Sequence, residues 1–206
     1  MKKLILDLDN TIYPVSSIGE KLFRSLFDLI SKKEYGFTEQ DIEKAKIQIM
    51  RIPFQKVAHM CKFPETLTQD ALELLRNLRY DNKIEYFIEY NNVKGLKTDK
   101  FLLTTGFTNL QQSKIRSLDI ENDFKEIFIV DPDHSNFTKK DIMMQIMDKY
   151  QINKEELLVV GDDPESEIKS ANELNIKTFL LDTGGKYSAN ISTYSGKTLT
   201  DVIKYV

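Results

Sequence analysis

The second half of the chain repeats one pattern. Short aliphatic runs at Phe101-Leu102-Leu103-Thr104, Ile127-Phe128-Ile129-Val130, Leu157-Leu158-Val159-Val160 and Thr178-Phe179-Leu180-Leu181 alternate with stretches whose apolar residues recur at helical spacing. Asn109 to Ser117, Asp141 to Tyr150 and Glu165 to Leu174 read as the helices. Such alternation predicts a parallel sheet with helices on both faces, because parallel neighbours need long crossovers between them. One more aliphatic run, Lys3 to Leu8, stands alone near the N-terminus and belongs to the same sheet.

The stretch between differs in texture. From about Ser16 to Asn92, apolar residues return every three or four positions: Ile18, Leu22, Leu26, Leu29 and Ile30, then Ile42, Ala45 and Ile49, then Leu67, Ala71, Leu74, Leu75 and Leu78. Helix starts are signalled by Thr38 with Asp41 three later, by Pro53, and by Thr68 ahead of Ala71. The segment reads as four or five helices, with none assigned to the polar stretch Tyr86 to Thr98. The tail from Gly184 to Lys197 reads as loop before a short last helix, Leu199 to Lys204. The expected fold is α/β: a doubly wound parallel-sheet core formed by 1–14 and 93–206, with an all-helical unit, 15–92, inserted after the first strand.

Composition narrows the function. Basic and acidic residues number 29 and 32, a net charge of −3, so no cationic excess argues for nucleic acid. No apolar stretch reaches the ~18 residues a membrane span needs. Met1-Lys2-Lys3 before Leu4-Ile5-Leu6 begins like a signal peptide, but Asp7 ends the apolar run too early. Cys61 is the only cysteine, so no intrachain disulfide forms. A cytoplasmic protein is expected. His59 and His134 lie far apart without metal or triad spacing, and read as surface or packing residues.

The chemistry gathers where strands end. Ligands of open parallel sheets bind beyond the carboxyl ends of the strands. Asp7 and Asp9 stand at the end of the first strand, two apart, so both carboxylates can face one pocket. Close anions repel and resist desolvation; a hard cation such as Mg²⁺ resolves both difficulties. By itself the pair also fits an exposed turn. Thr104-Thr105-Gly106, at another strand end, offers a hydroxyl and free N–H groups that suit a phosphate oxygen. Lys139 or Lys140 opens a helix against its dipole, which an adjacent bound anion would explain; the stripe beginning at Ile142 and Met143 favours Lys139. Gly161-Asp162-Asp163 brings a third acidic group after a strand: Asp162 as a metal ligand, with Asp163 or Glu167 holding metal-bound water or orienting the lysine.

The ordered set Asp7-x-Asp9-x-Thr11, then Thr104-x-Gly106, then a lysine, then Gly161-Asp162-Asp163 with Glu167, resembles the haloacid dehalogenase (HAD) superfamily over the whole chain. The Asp-Leu-Asp-Asn-Thr stretch with Tyr13-Pro14 is also similar to the branch that contains pyrimidine 5′-nucleotidases. The resemblance implies that the helical insert is a cap. It implies Asp7 as the nucleophile that forms an aspartyl-phosphate and Asp9 as general acid, then base, whose main-chain carbonyl also touches Mg²⁺. Thr104 and the Thr105 amide would hold the phosphoryl group, Lys139 would neutralise it, and Asp162 would complete the metal shell beside Thr11, Asp163 and Glu167. The sequence departs from the family in lacking a proline after the lysine, in Thr105 where asparagine is common, and in Glu167 where aspartate is usual.

The function expected is a Mg²⁺-dependent phosphatase of a small phosphorylated metabolite, a nucleoside monophosphate or a sugar phosphate, with no nucleic acid, membrane or obligate protein partner. A phosphomutase and a non-catalytic phosphate-ligand binder are the alternatives. Tyr13, Phe23 and Phe54 are the candidate pocket-lining aromatics.

Overall fold

The computed structural model describes residues 1–206. Five strands make the body of the sheet: β1 (Lys3–Leu6), β2 (Lys100–Thr105), β3 (Glu126–Val130), β4 (Leu157–Gly161) and β5 (Lys177–Leu181), all largely buried but the edge strand β3. A short sixth, β6 (Tyr194–Gly196), joins them, and every pairing is parallel in the order β3-β2-β1-β4-β5-β6. The tail read as loop therefore carries an edge strand. Its three residues have no apolar alternation to betray it, and pairing with β5 is what makes them a strand.

The two faces of the sheet are read by residue parity. Leu4, Leu6, Leu102, Leu158, Val160, Phe179 and Leu181 enter one apolar cluster. Ile5, Phe101, Leu103, Leu157 and Val159 enter the other, against Ile142, Met143, Ile146 and Ala171.

The chain between β1 and β2 is helical: α1 (Gly19–Leu22), α2 (Arg24–Ile30), α3 (Glu39–Ile49), α4 (Phe54–Met60), α5 (Glu65–Asn77) and the short α6 (Tyr90–Lys94). Thr38 and Asp41 form the anticipated capping box on α3. Thr68 does not start a helix: α5 begins at Glu65 behind Pro64, whose extended backbone stops the preceding chain, and the Thr68 hydroxyl donates back to Pro64 O at 3.0 Å. The apolar faces of α2 to α5 (Leu26, Ile30, Ala45, Ile49, Val57, Leu67, Ala71, Leu75) belong to the same cluster as one face of the sheet.

On the core side, α7 (Thr108–Leu118) follows β2, α8 (Lys139–Tyr150) follows β3, and α9 (Lys169–Glu173) follows β4. The expected helix from Glu165 to Leu174 begins instead as a π-helical turn, Pro164–Ile168, and the last helix is a 3₁₀ turn, Leu199–Tyr205. The polar stretch Tyr86 to Thr98, to which the sequence assigned no helix, holds the short α6, too brief to show a period, and the chain entering it is pinned by backbone bonds: Ile84 N–H donates to Ser117 O and Phe87 N–H to Ile12 O.

Register sets the site. Leu6 pairs with Leu102 and with Val160, so Asp7, Asp9, Thr104 and Asp162 all lie within three residues of one ladder row, at the carboxyl ends of three adjacent strands. From β1 the chain crosses to β2 and then β3 on one side, and only from β3 does it return to β4 on the other, so the strand order reverses beside β1 and a crevice opens above its end.

Candidate active site

Past β1 the chain turns sharply. Asn10 takes a left-handed conformation, which asparagine tolerates, and its side chain accepts from Val15 N–H at 3.1 Å. The turn puts Asp7 and Asp9 toward one cavity of about 930 Å³ shared with Thr104, Thr105, Lys139, Asp162, Asp163 and Glu167. Phe23 and Phe54 also line it, and nine consecutive residues, Gln48 to Lys56, make its wall on the helical side. Thr11 is buried beside the cavity, its hydroxyl 3.4 Å from Asp162 Oδ1. Tyr13 is not a lining residue; it is fully buried and its hydroxyl donates to Asp9 Oδ1 at 2.5 Å.

The two lysines separate clearly. Lys139 is buried, with Nζ 2.6 Å from Asp7 Oδ1 and 2.7 Å from Glu167 Oε2. Lys140 points away and pairs with Glu173 on the surface. Burial alone would push the Lys139 ammonium toward neutrality, but the charges of Asp7 and Glu167 outweigh it and hold the amine protonated. Glu167 reaches this position through the π turn, and its other oxygen accepts from Asp163 N–H at 2.9 Å. The Asp163 carboxylate turns elsewhere: it caps the turn by accepting from Glu165 N–H at 2.9 Å, so Glu167 and not Asp163 orients the lysine. Gly161 is required here, since a Cβ on it would lie 2.0–2.4 Å from the Glu167 side chain.

Asp7, Asp162 and Glu167 each offer an oxygen within 4.8 Å of the others. Three carboxylates face one ammonium, so full ionisation would leave an excess of two negative charges in a desolvated pocket. Burial, reinforced by Asp7, Glu167 and Asp163, pushes the Asp162 carboxyl up to about 8. Burial likewise takes Asp7 to about 7 although Lys139 pulls it down. A divalent cation on oxygen ligands would remove that surplus, and the donor set is the hard-oxygen type that Mg²⁺ prefers. The residues therefore fit the ion.

Asp9 has a different setting. Its carboxylate accepts from Lys114 Nζ at 2.7 Å on both oxygens and from Gln111 Nε2 at 3.0 Å, besides Tyr13. Burial pushes its carboxyl up, but the Lys114 charge and these hydrogen bonds outweigh burial and hold it below the usual carboxylate range. Gln111 also donates to Thr104 Oγ1 at 2.6 Å and to Thr105 O at 3.2 Å. Gln111 and Lys114 carry no motif in the sequence and are not among its candidate site residues. The available signal was two polar side chains, three apart, on the buried side of α7 among Leu110, Ile115 and Leu118.

The comparisons with known proteins agree with this architecture. The haloacid dehalogenase-like hydrolase family matches residues 4–181, well over half of the chain, and the protein belongs to that family. No curated protein matches it by sequence. Among solved structures, it is similar to the putative HAD-hydrolase YfnB from Bacillus subtilis, bound to magnesium (TM-score 0.71, 17% identity, 98% of this chain and 97% of that one). It is similar to the haloacid dehalogenase-like protein SP0104 from Streptococcus pneumoniae (TM-score 0.73, 18% identity, 100% and 98%). A HAD phosphatase from Thermococcus onnurineus follows (TM-score 0.65, 16% identity, 99% and 97%). L-2-haloacid dehalogenases share the fold as well. No helix is long and apolar enough to cross a membrane.

Proposed function

We propose that this chain is a Mg²⁺-dependent phosphatase of a small phosphomonoester that works through an aspartyl-phosphate on Asp7. The observation that carries the reading is the meeting of Asp7, Asp162, Glu167 and Lys139 beside Thr104 and a second aspartate, Asp9, in one cavity. Asp7 and Asp162, with the main-chain carbonyl of Asp9, would hold the ion. Bound there, Mg²⁺ would neutralise charge on the phosphoryl oxygens.

The chain's own residues supply the rest. Lys139 occupies Asp7 Oδ1, which leaves the other Asp7 oxygen to attack phosphorus. As that O–P bond forms, the ester O–P bond breaks and the leaving oxygen takes a proton from Asp9. Water then attacks the aspartyl-phosphate, Asp9 takes its proton, and the bond from phosphorus to the Asp7 oxygen breaks to release inorganic phosphate. Held ionised by Lys114, Asp9 is in the form that accepts the proton from water; to serve the leaving oxygen it must first take up a proton, which a phosphoryl dianion arriving beside it favours. The Thr104 hydroxyl and the Thr105 N–H meet the phosphoryl oxygens, and Lys139 balances their charge. Residues 15–92 would act as the cap, excluding water during attack, with the Gln48 to Lys56 wall meeting the leaving group. A nucleoside 5′-monophosphate, as in the pyrimidine 5′-nucleotidase-like branch, or a sugar phosphate fits such a wall of mixed apolar, amide and cationic residues.

The test is hydrolysis of p-nitrophenyl phosphate and a panel of metabolite phosphates, with and without Mg²⁺. We expect metal-dependent phosphate release that Asp7→Asn abolishes and Asp9→Asn reduces by at least about 100-fold. Full activity in Asp7→Asn would overturn the mechanism, and halide release from a 2-haloacid without phosphate release would make the chain a dehalogenase.

A further inference from the structure

Lys114 plays no part in the mechanism above, yet it is more buried than most lysines ever are, its side chain only 5% exposed. A buried ammonium is costly unless paired. Its sole hydrogen-bonding partner is the Asp9 carboxylate, which it meets on both oxygens. With Tyr13 on one oxygen and Gln111 on the other, four donor contacts fix the plane of the Asp9 carboxylate.

Gln111 extends the same framework. It sits one turn before Lys114 on α7, and its amide spans Asp9 Oδ2, Thr104 Oγ1 and Thr105 O. Thr104 Oγ1 thereby accepts, and its own hydrogen is free to point at a phosphoryl oxygen. Gly106 makes room: a Cβ there would press on the Gln111 side chain at 3.1–3.4 Å, and its backbone lies where side chains are strained.

We propose that Lys114 and Gln111 are positioning residues for the reaction: Lys114 fixes the Asp9 carboxylate, and Gln111 ties that carboxylate to the Thr104 hydroxyl, so that proton transfer and phosphoryl binding keep one spacing. The inference rests on the roles proposed above for Asp9 and Thr104. A misplacement of about 1 Å in such a group costs on the order of 100-fold in rate.

Three variants test it. Lys114→Met removes the clamp, Lys114→Arg restores a cation, and Gln111→Leu cuts the tether without changing charge. Each is assayed on p-nitrophenyl phosphate, whose leaving group needs little protonation, and on glycerol phosphate, whose leaving group needs a full proton. We expect Lys114→Met and Gln111→Leu to lower kcat by about 10- to 100-fold, more on glycerol phosphate, with KM within about threefold of wild type. Lys114→Arg should recover most of the loss. Crystal structures of the wild type and Gln111→Leu, which should fold even if Lys114→Met does not, supply a readout independent of turnover: Asp9 and Thr104 should change their separation. An unchanged separation, or equal kcat losses on both esters, overturns the proposal. Wild-type protein inert on every ester would strike the phosphatase reading instead, and the crystal comparison would still decide whether Gln111 sets the spacing of Asp9 and Thr104.

Discussion

Gly161 shows how one residue governs several others. It is the last residue of a buried central strand, and the space its missing side chain leaves is filled by Glu167. Glu167 in turn holds Lys139, and Lys139 holds Asp7. In Gly161→Ala the new methyl group would overlap Glu167, which must swing away and leave Lys139 with Asp7 alone. We expect a loss of about 1–3 kcal/mol in stability together with a fall in kcat, measured by chemical denaturation and steady-state turnover. Wild-type values for both would show that Glu167 can relocate freely. Lys139 and Lys140 make a related point. Adjacent in sequence and alike in chemistry, they differ in burial because one residue rotates a helical side chain by about 100°, and only Lys139 meets two carboxylates.

At the scale of the element, α7 is held at its N-terminus by a residue from another segment. Asp131, just past β3, accepts from the Thr108 N–H and the Thr108 hydroxyl, both at 2.7 Å, so it serves as the helix cap that Phe107 cannot provide. Burial raises the Asp131 carboxyl, but the hydrogen bonds from Thr108 and Asp133 win, and its folded value lies below the ordinary one of 3.8. A lowered carboxyl contributes stability that is present above its unfolded value and lost as pH falls through the folded one. Asp131→Asn should therefore cost about 1–2 kcal/mol at pH 7, and the gap to wild type should close below about pH 4. Urea unfolding of both proteins from pH 7 down to 3 measures this, and a constant gap across that range would refute the assignment. Because α7 carries Gln111 and Lys114, the cap also sets how firmly Asp9 is held. The helical segment is tied to the same helix: Asn109 Nδ2 donates to Arg76 O at 2.9 Å, and the Arg76 guanidinium pairs with Asp133.

For the whole molecule the deciding quantity is the charge gathered at the sheet's switch point. Folded Asp7 and Asp162 keep their protons to about 7 and about 8, whereas in the unfolded chain both ionise near 3.8. The folded state thus binds more protons between about pH 4 and 8, and metal-free stability falls as pH rises through that window. Mg²⁺ binding must expel those protons, which costs free energy at pH 6 and little above pH 8. Saturating Mg²⁺ is expected to raise Tm more at pH 8 than at pH 6, and chelation should reverse the gain. Thermal denaturation with and without Mg²⁺ at the two pH values is the measurement. An equal or larger gain at pH 6 would place the cation away from Asp7 and Asp162.

What the residues determine by themselves is local or periodic. Aliphatic runs bounded by turns read as β1 to β5, most of them because burial on both faces demands such runs, and Thr38 with Asp41 read as a cap because both partners lie within four residues. The acidic strand ends were legible for the same reason, since carboxylates after an apolar run need an explanation. Other features depend on groups far apart in the chain. β6 exists through its pairing with β5, and the π turn at Pro164–Ile168 places Glu167 beside Lys139, 28 residues away. Lys114 and Gln111 meet Asp9 across more than 100 residues of chain. Their spacing in α7 has no meaning until the sheet register brings β1 and β2 side by side. A hydrogen bond requires atoms within about 3 Å, and between such distant positions only the packed tertiary structure sets that distance.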